Sequence, residues 1–372
     1  MPEPLHIVCL DAPGPPDYGG AIDMFYKIQA LFESGRKITL HYFDYNKRRN
    51  VDALRPFCHA IYSYKRSSFI QSLIQGLPYS VSSRVNKELI DRLNQDDHPI
   101  LLEGFHCSGV IPFLVNTSRK VVVRVHNDEA KYYLQLSATE RSLTRKWYFK
   151  REGKLLHNYQ QQLERTIPLA CISGADAEVF RAKYGSISVS FLPTFIPWQE
   201  ITAIPGKGNY CLYHGNLNIS ENEAAVIWLI KEVFTKIDVP LFVAGKVASG
   251  RLQSAINQSK NSRLITNPSA SELDELVRHA HIHVLPSMNA TGVKLKLLHA
   301  LFLGRFCITN AAGIAGSCLE SQAAIADTSE EYISKIQELM NRSFEQEDLA
   351  QRQKILKVYN NRQTAEGLNA LL

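Results

Sequence analysis

Residues 283–316 read HVLPSMNATGVKLKLLHALFLGRFCITNAAGIAG, and this stretch decides the fold. An apolar run, His283–Leu285, stops at a Pro-Ser pair and a small polar loop that closes on Gly292. A helical pattern then continues to Gly304, and a second apolar run, Phe306–Thr309, follows it. These segments predict a βαβ unit whose helix begins with free backbone N–H groups, and such a helix start binds anions such as a diphosphate. The alternative is an ordinary βαβ packing unit.

The same alternation of apolar runs and helical patterns continues along the whole chain. Strand-like runs occur at His6–Asp11, Ile38–Phe43, Ile61–Tyr64, Ile100–Glu103, Val121–Val125, Ala170–Ser173, Val189–Leu192, Cys211–His214, Leu241–Ala244, Leu264–Thr266, His281–Leu285, Phe306–Thr309 and Ala323–Ala326. Near-continuously apolar strands separated by helices indicate parallel sheets that are covered on both faces. We therefore predict an α/β fold with two Rossmann-like, doubly wound domains facing a central cleft, where ligands bind at the strand ends.

A proline-rich segment marks the boundary between the two predicted domains. Pro193–Gly208, PTFIPWQEITAIPGKG, contains three prolines and two glycines and follows the last strand of the first half. We predict an N-terminal domain over residues 1–195, a linker over 196–208 and a C-terminal domain over 209–345. The remaining residues, 346–372, are predicted to form a helical segment that packs back on the N-terminal domain.

Composition predicts a cytoplasmic globular protein. The 372 residues are 45% hydrophobic and 21% charged, which is enough for two domains with full cores. No apolar run approaches the ~18 residues of a membrane helix, and the N-terminus lacks the features of a signal peptide. Seven cysteines are scattered singly. Cys9, Cys171, Cys211 and Cys307 lie in strand-like runs and are predicted to be buried, reduced thiols, which argues against disulfides or a zinc site.

The net positive charge lies entirely in the N-terminal half. Residues 1–195 contain 25 Lys and Arg against 19 Asp and Glu, whereas residues 196–372 contain 17 of each kind. The excess is concentrated at Lys47-Arg48-Arg49, at Lys65-Arg66 and between Arg141 and Lys154. Such a patch predicts peripheral contact with an anionic membrane or with a phosphorylated acceptor, and the alternative is a solvated helix face. No nucleic-acid-binding signature accompanies it, so we expect no nucleic acid partner.

Two strand ends in the first half carry polar residues suited to sugar chemistry. Glu103 and His106 follow one strand, and His126 and Asn127 follow the next, with Glu129 in the first turn of a helix. Histidine and carboxylate side chains bind sugar hydroxyls or act as general bases. A structural role is the alternative for each histidine. The spacing offers no compact set of metal ligands.

Glycines follow several other strands, where they allow backbone to approach a ligand closely. Gly19 and Gly20 precede the first helix, Gly215 and Asn216 follow a strand of the second half, and Lys246 follows another. Backbone amides at such positions bind anions, although a flexible loop explains a Gly-Gly pair equally well. Neither the G-x-G-x-x-G fingerprint nor a Walker sequence occurs.

Two further lysines, Lys294 and Lys296, lie in the first turn of the helix that follows Gly292. A cation is poorly placed there for the helix dipole but well placed for a phosphate. Together with Lys246 these lysines suit a diphosphate donor that is activated without a divalent ion, because no carboxylate pair is placed to hold Mg²⁺. Of the three, Lys294 is the predicted principal cation. We expect no cofactor and no metal.

The order of these motifs resembles the family 4 glycosyltransferases of the GT-B fold. The Gly-Gly loop is followed by HGNLN…EN, strand-AGK, HVLPS and TGVKLKLLHALFLGRFCITNAAGIAG, and the resemblance covers nearly the whole chain. The stretches RVHNDEAKYY, KWYFKREGKLLHNYQQQ and CISGADAEVF resemble bacterial members that make surface polysaccharides. The resemblance implies a retaining hexosyltransferase that moves a sugar from a nucleotide-diphosphate donor to a saccharide or lipid-linked acceptor.

The resemblance also implies a role for each domain. The C-terminal domain binds the nucleotide sugar and the N-terminal domain binds the acceptor. His106, His126 and Glu129 are the candidate catalytic residues, and Glu103 and Asn127 the candidate acceptor-binding residues. The candidate donor-binding residues are Gly19, Gly20, Gly215, Asn216, Lys246, Thr291, Gly292, Lys294, Lys296 and His299.

The chain departs from the family pattern at four positions. Thr291 and His299 stand where the family often carries two glutamates, the second of which usually holds the ribose. Asn216 and Glu221 stand where the family carries a basic pair. These departures leave two alternatives, which are another GT-B class, such as an inverting transferase or a nucleotide-sugar epimerase, and a non-catalytic partner protein.

Overall fold

The computed structural model describes residues 3–44, 49–68, 76–140, 142–163, 167–184, 188–246 and 248–372. It divides into two compact units. The first consists of Met1–Pro197 together with Tyr359–Leu372, and the second consists of Trp198–Val358. Of the basic residues singled out in the sequence, Lys47, Arg48 and Arg141 lie outside the described residues.

The first unit is built on a parallel sheet of seven strands in the order β3-β2-β1-β4-β5-β6-β7. The strands are β1 Glu3–Cys9, β2 Arg36–Phe43, β3 Ala60–Tyr64, β4 Ile100–Glu103, β5 Val121–Val125, β6 Leu169–Cys171 and β7 Val189–Phe191. The α-helices between them are α1 Gly19–Glu33, α2 Tyr79–Ser82, α3 Lys87–Leu93, α4 Glu129–Thr139, α5 Leu143–Leu163 and α6 Gly174–Tyr184. Two 3₁₀ segments, Asp52–Phe57 and Phe105–Phe113, complete it.

The second unit repeats this plan with a parallel sheet of six strands in the order β10-β9-β8-β11-β12-β13. The strands are β8 Cys211–Asn216, β9 Leu241–Lys246, β10 Ser262–Thr266, β11 Ile282–Val284, β12 Phe306–Thr309 and β13 Ala324–Ile325. The helices are α7 Ser220–Trp228, which continues as a π-helix over Leu229–Phe234, then α8 Gly250–Asn257, α9 Ala270–His279, α10 Leu295–Leu303, α11 Ala311–Ile314, the 3₁₀ segment Glu320–Gln322, α12 Ser329–Met340, α13 Gln346–Arg352 and α14 Ile355–Val358.

The predicted α/β class with two doubly wound parallel sheets is confirmed. Each predicted strand is found as a strand in the structure. Val121–Val125, for example, is buried along its whole length, as expected for a strand that is covered on both faces of the sheet. Boundaries shift most at β1, which begins at Glu3 rather than His6 because its first residues pair with Arg36 and Lys37 of β2. The four strand cysteines singled out above are buried and form no disulfide among the described residues, as predicted.

The proline-rich segment and the C-terminal segment are each divided between the two units, the former after Pro197 and the latter before Tyr359. Thr202 donates its backbone N–H to Phe302 at 2.9 Å, within the second unit. The last helix, α15 Asn361–Leu371, belongs to the first unit and buries Leu368 in the core beside α1. Of the predicted C-terminal segment, residues 346–358 lie in the second unit and 359–372 in the first. Within the described residues no helix combines the length and apolarity needed to cross a bilayer.

Candidate active site

A buried cluster of charged side chains lies where β4 and β5 of the first unit end. The Lys27 ammonium donates to Asp23 at 2.7 Å and to Glu103 at 2.8 Å. His126 Nε2 lies 2.9 Å from the same Glu103 oxygen. Glu103, predicted to bind the acceptor, is therefore held by two protein groups, although its Oε1 has no hydrogen-bond partner among the described residues.

Electrostatics keeps both carboxylates of this cluster ionised. Burial favours the neutral acid, but Arg124 and Lys27 outweigh it and hold the pKa of Asp23 well below its usual range. For Glu103, burial is likewise outweighed by Lys27 and His126, so that its pKa is lowered. The ligand atoms of Asp23, Glu103 and His126 lie within 4.8 Å of one another, which is close enough for a metal ion. The sequence predicted no compact set of ligands, whereas the fold brings these three residues together, and Lys27 contacts both carboxylates.

Sequence reasoning missed Lys27, Asp23 and Arg124. The signal was present, since Asp23 and Lys27 are four residues apart on the predicted first helix and so share one face. Such a pair is normally a surface feature, and only burial in the fold distinguishes it. Lys27 contacts Glu103 directly, and Asp23 lies 4.0 Å from His126 Nδ1. Arg124 donates to Asp23 and to the backbone oxygens of Leu192 and Pro193.

His106, Asn127 and Glu129 form a second group in the first unit. His106 Nε2 lies 3.8 Å from Glu129 Oε2, and both side chains are buried or nearly so. Burial raises the pKa of Glu129 to about 8, although a hydrogen bond from Asn127 opposes the shift. Burial also holds the pKa of His106 well below its usual value, with Arg84 contributing. At neutral pH the pair is therefore a carboxylic acid beside a neutral imidazole rather than an ion pair.

The described residues leave one imidazole nitrogen of this group unpaired. His106 Nδ1 is buried without a hydrogen-bond partner among the described residues. Gly104 adopts φ 73°, and a Cβ there would lie 3.0 Å from His106 Nδ1, so this position requires glycine. A neutral acid and an imidazole can each donate and accept hydrogen bonds, which is what sugar hydroxyls need.

Gly19 and Gly20 are the first two residues of α1. The residue before them, Tyr18, is extended, and no side chain caps the helix start. The first backbone N–H groups of the helix are therefore left to water or to a ligand. The two glycines belong to the first unit, whereas the other predicted donor-binding residues belong to the second.

In the second unit, Lys296 is partly buried and is held by two side chains. Its ammonium donates to the Tyr213 hydroxyl at 2.8 Å and to Asn222 Oδ1 at 2.9 Å. Tyr213 also donates to Asn222 at 3.0 Å, so the three side chains form a closed set. Burial, together with the nearby Lys294, lowers the pKa of Lys296 to about 7. Lys296 forms no ion pair with a carboxylate among the described residues.

The loop before α10 holds the remaining predicted residues around Gly292. Thr291 is buried, and its hydroxyl and backbone N–H both donate to Asn289. Gly292 adopts φ 64°, a conformation that favours glycine. The ammonium of Lys294 donates to the backbone oxygen of Thr291 at the start of the helix. Lys294 and Lys296 are both partly buried, and Lys296 differs in that its ammonium is held by the side chains of Tyr213 and Asn222.

His299 occupies one of the positions where the family often has a glutamate, and it contacts a carboxylate and an aromatic ring. Its Nε2 lies 2.8 Å from Asp274 Oδ1, so a carboxylate is recruited from α9. Its ring stacks on Trp198 with centroids 4.8 Å apart. His214 lies edge-on to His299 at 5.1 Å, and both of its ring nitrogens are buried. Sequence reasoning missed His214 because it reads as part of an apolar strand.

Gly215 and Asn216 end β8, in register with Gly245 and Lys246 at the end of β9. A Cβ on Gly245 would come within 1.9 Å of the Gly215 carbonyl oxygen, so the close approach of these strand ends requires glycine. A Cβ on Gly215 would meet Lys296 Cδ at 3.8 Å. The structure thus brings Gly215 beside Lys296, while the exposed Lys246 stands one position further along the strand.

Comparisons with known proteins agree with this architecture. Residues 208–342 match the family model described as "Glycosyl transferases group 1". An uncharacterised 44.6 kDa protein in the cps region of Klebsiella pneumoniae is 26% identical over 327 residues, which is 84% of each chain.

Among solved structures, sucrose-phosphate synthase from Thermosynechococcus elongatus is similar with a TM-score of 0.71 at 13% identity, covering 99% of this chain and 98% of that one. A variant of TarM from S. aureus, solved with Fondaparinux, alpha-GlcNAc-glycerol and UDP, is similar with a TM-score of 0.66 at 10% identity, covering 100% and 99%. The fold is that of the GT-B glycosyltransferases. With the family match, it supports the predicted class, a glycosyltransferase of the GT-B type.

Proposed function

We propose that this chain is a retaining hexosyltransferase, which moves a hexose from a nucleotide-diphosphate sugar to a saccharide or lipid-linked acceptor. The observation that carries the proposal is the environment of Lys296, whose ammonium is held by the neutral oxygens of Tyr213 and Asn222. A cation that is positioned by neutral groups keeps its charge available to an anion. A departing diphosphate is the anion that such a transferase must stabilise.

The proposed reaction balances without an added base. The acceptor hydroxyl attacks the anomeric carbon from the face of the leaving group, and the bond from that carbon to the diphosphate oxygen breaks. The diphosphate oxygen takes the proton of the hydroxyl as the new glycosidic bond forms. Lys296, Lys294 and Lys246 of the second unit are proposed to stabilise the charge that develops on the diphosphate.

The group around His106 is proposed to bind the sugar or the acceptor. Its Nδ1 and the protonated Glu129 can each form a hydrogen bond to a hydroxyl, and His126 adds a further imidazole at the next strand end. Asn127 supports Glu129, and Glu103 holds His126. No step requires a metal ion, since the diphosphate charge is assigned to lysines and the carboxylates near His126 are neutralised by Lys27.

The biological setting is proposed from the relative in the cps region of Klebsiella pneumoniae. It favours bacterial polysaccharide or glycolipid assembly on the cytoplasmic side of the membrane. This setting matches the resemblance of the RVHNDEAKYY stretch to polysaccharide transferases.

Two experiments test the proposal in sequence. A panel of uridine, guanosine, adenosine and thymidine diphosphate sugars is screened for protection against thermal unfolding, where a donor at 100 times its dissociation constant should stabilise by ~2.7 kcal/mol. The protecting donor is then supplied with saccharide and lipid-linked acceptors, and NMR assigns the anomeric configuration of the product. A product of inverted configuration would show an inverting transferase, and a complete failure to bind nucleotides would show a non-catalytic partner protein.

A further inference from the structure

Two large apolar side chains are exposed together at the start of α5. Leu143 is 82% exposed and Trp147 is 59% exposed. They are four residues apart, so they lie next to each other on one face of the helix. Thr144 and Tyr148 line the same shallow apolar hollow. Adjacent exposed side chains of this size mark a surface that contacts another molecule.

A row of lysines continues the same face along the helix. With about 100° of rotation per residue, Lys150 and Lys154 lie within about 20° of Leu143 around the helix axis, and Lys146 lies about 60° away. All three lysines are exposed, and none forms an ion pair with another described residue. We call Leu143, Lys146, Trp147, Lys150 and Lys154 the docking face.

The opposite side of α5 anchors the helix in the first unit. Glu152 is buried and accepts hydrogen bonds from the backbone N–H groups of Tyr79 and Ser80 at 3.0 and 2.7 Å. Gly153, about 80° from Leu143 around the helix axis, also anchors the helix, because a Cβ there would lie 2.9 Å from Leu134 Cγ of α4. The acidic residue of the helix therefore points inward, and the docking face is presented by a fixed helix.

We propose that the docking face binds the surface of a bilayer that contains anionic lipid. An interfacial helix places Trp and Leu at the boundary between head groups and acyl chains while its lysines contact the anionic head groups. The face has this arrangement, with the apolar pair at one end and lysines whose long stems can extend over apolar surface. An acidic protein surface could pair with the charges of the lysines, but it would not account for the exposed apolar side chains of Leu143 and Trp147.

The position of the face deepens the proposed function, on which this step rests. Glu129 begins α4, and the eleven residues of α4 end beside the start of α5. At 1.5 Å per residue, about 16 Å of helix separates Glu129 from the docking face. A bilayer on this face lies within reach of the group around His106, which points to a lipid-linked acceptor rather than a free saccharide.

Flotation of the full chain with vesicles tests the docking. The vesicles are phosphatidylcholine alone and phosphatidylcholine mixed with phosphatidylglycerol. We expect flotation only with the anionic vesicles, and a steep loss between 0.1 M and 1 M salt as the Debye length falls from ~10 to ~3 Å. Trp147 should show a blue shift of fluorescence on binding, and Trp147→Phe should abolish it, because the other two tryptophans lie in the second unit.

Three sets of variants locate the surface. Leu143→Ser with Trp147→Ser should weaken binding at least about tenfold, and replacing Lys146, Lys150 and Lys154 with Gln should weaken it about a hundredfold and remove the salt dependence. The control replaces two other exposed apolar residues of the first unit, Phe113→Ser with Val115→Ser, and should bind as the native chain does. Thermal unfolding of each variant checks that it is folded.

Three outcomes would overturn the docking proposal. Equal flotation on neutral and anionic vesicles, equal loss in the control, or retention by an acidic protein matrix without flotation on vesicles would do so. Flotation needs no donor or acceptor, so it can fail while turnover on a soluble saccharide persists, which would overturn docking alone. Intact flotation without nucleotide binding would overturn the proposed function alone.

Discussion

Replacing Lys296 with methionine should stabilise the free protein and weaken its reaction with a diphosphate donor. Burial lowers the pKa of Lys296 from 10.5 to about 7. At about 1.4 kcal/mol per pKa unit, holding the charged lysine in this site costs about 4 kcal/mol of folding stability at pH 7. Because part of the side chain stays exposed, and because Tyr213 and Asn222 lose a donor, we expect a net gain of about 1–2 kcal/mol.

The pH dependence of this gain has a definite sign. The folded-state pKa of Lys296 lies below that of the unfolded chain, so the cost is fully present below pH 7. It diminishes as pH rises from about 7 toward 10.5, where the unfolded chain also loses its proton. The extra stability of Lys296→Met should therefore be largest near pH 7 and nearly absent at pH 10.5.

The effect on catalysis runs in the opposite direction. A charge-assisted contact to a phosphate contributes about 1.5–3 kcal/mol. If it forms mainly as the diphosphate departs, its loss lowers kcat rather than raising KM. Lys296→Met should then reduce kcat about ten- to a hundredfold, since each 1.4 kcal/mol corresponds to a factor of ten.

The assays are thermal unfolding at pH 7 and 10.5, calorimetry with UDP and steady-state turnover once the donor is identified. Lys294→Met is the neighbouring comparison, and Lys260→Met, an exposed lysine of the same unit, is the matched control and should change nothing. In the native chain the affinity for UDP should fall as pH rises above about 7, because Lys296 loses its proton. In Lys296→Met this part of the pH dependence should be absent. A variant that is less stable than the native chain at pH 7 yet turns over normally would refute the reasoning.

Three further outcomes follow from the geometry. Activity should survive EDTA, because lysines are assigned the diphosphate charge; complete loss that Mg²⁺ or Mn²⁺ restores would contradict this. Burial keeps Glu129 protonated up to a pKa of about 8, so native activity should decline above pH 8, whereas Glu129→Gln, which resembles the protonated acid, should remain active with a flatter pH profile; an inactive Gln variant at pH 7 would show that the ionised form is needed. Lys27→Met should destabilise the fold by about 3–5 kcal/mol in urea unfolding, because it leaves Asp23 and Glu103 buried without their cation; adding Glu103→Gln should recover part of that loss, and a neutral effect of the single change would mean that the cluster is hydrated.

The sequence predicted backbone features correctly where they follow from the local pattern of strand, glycine and helix. Gly292 before α10 and the Gly215 strand end were identified from the strand, glycine and helix pattern, and the structure places Gly215 beside Lys296. It was less informative about side-chain partners. Glu103 was predicted to bind the acceptor, and the sequence did not predict that Lys27, 76 residues away along the chain, donates a hydrogen bond to it.

By itself, the sequence determined the α/β class, the two parallel sheets and the strand ends that carry polar residues. These depend on the period and length of apolar runs, which are local properties. Only the tertiary structure decided which lysine is held by neighbouring side chains, which carboxylates share a cation and which histidine nitrogens lack partners. Hydrogen bonds and pKa values depend on neighbours brought together from distant positions, as Tyr213, Asn222 and Lys296 are, and on the water that the packed chain excludes from them.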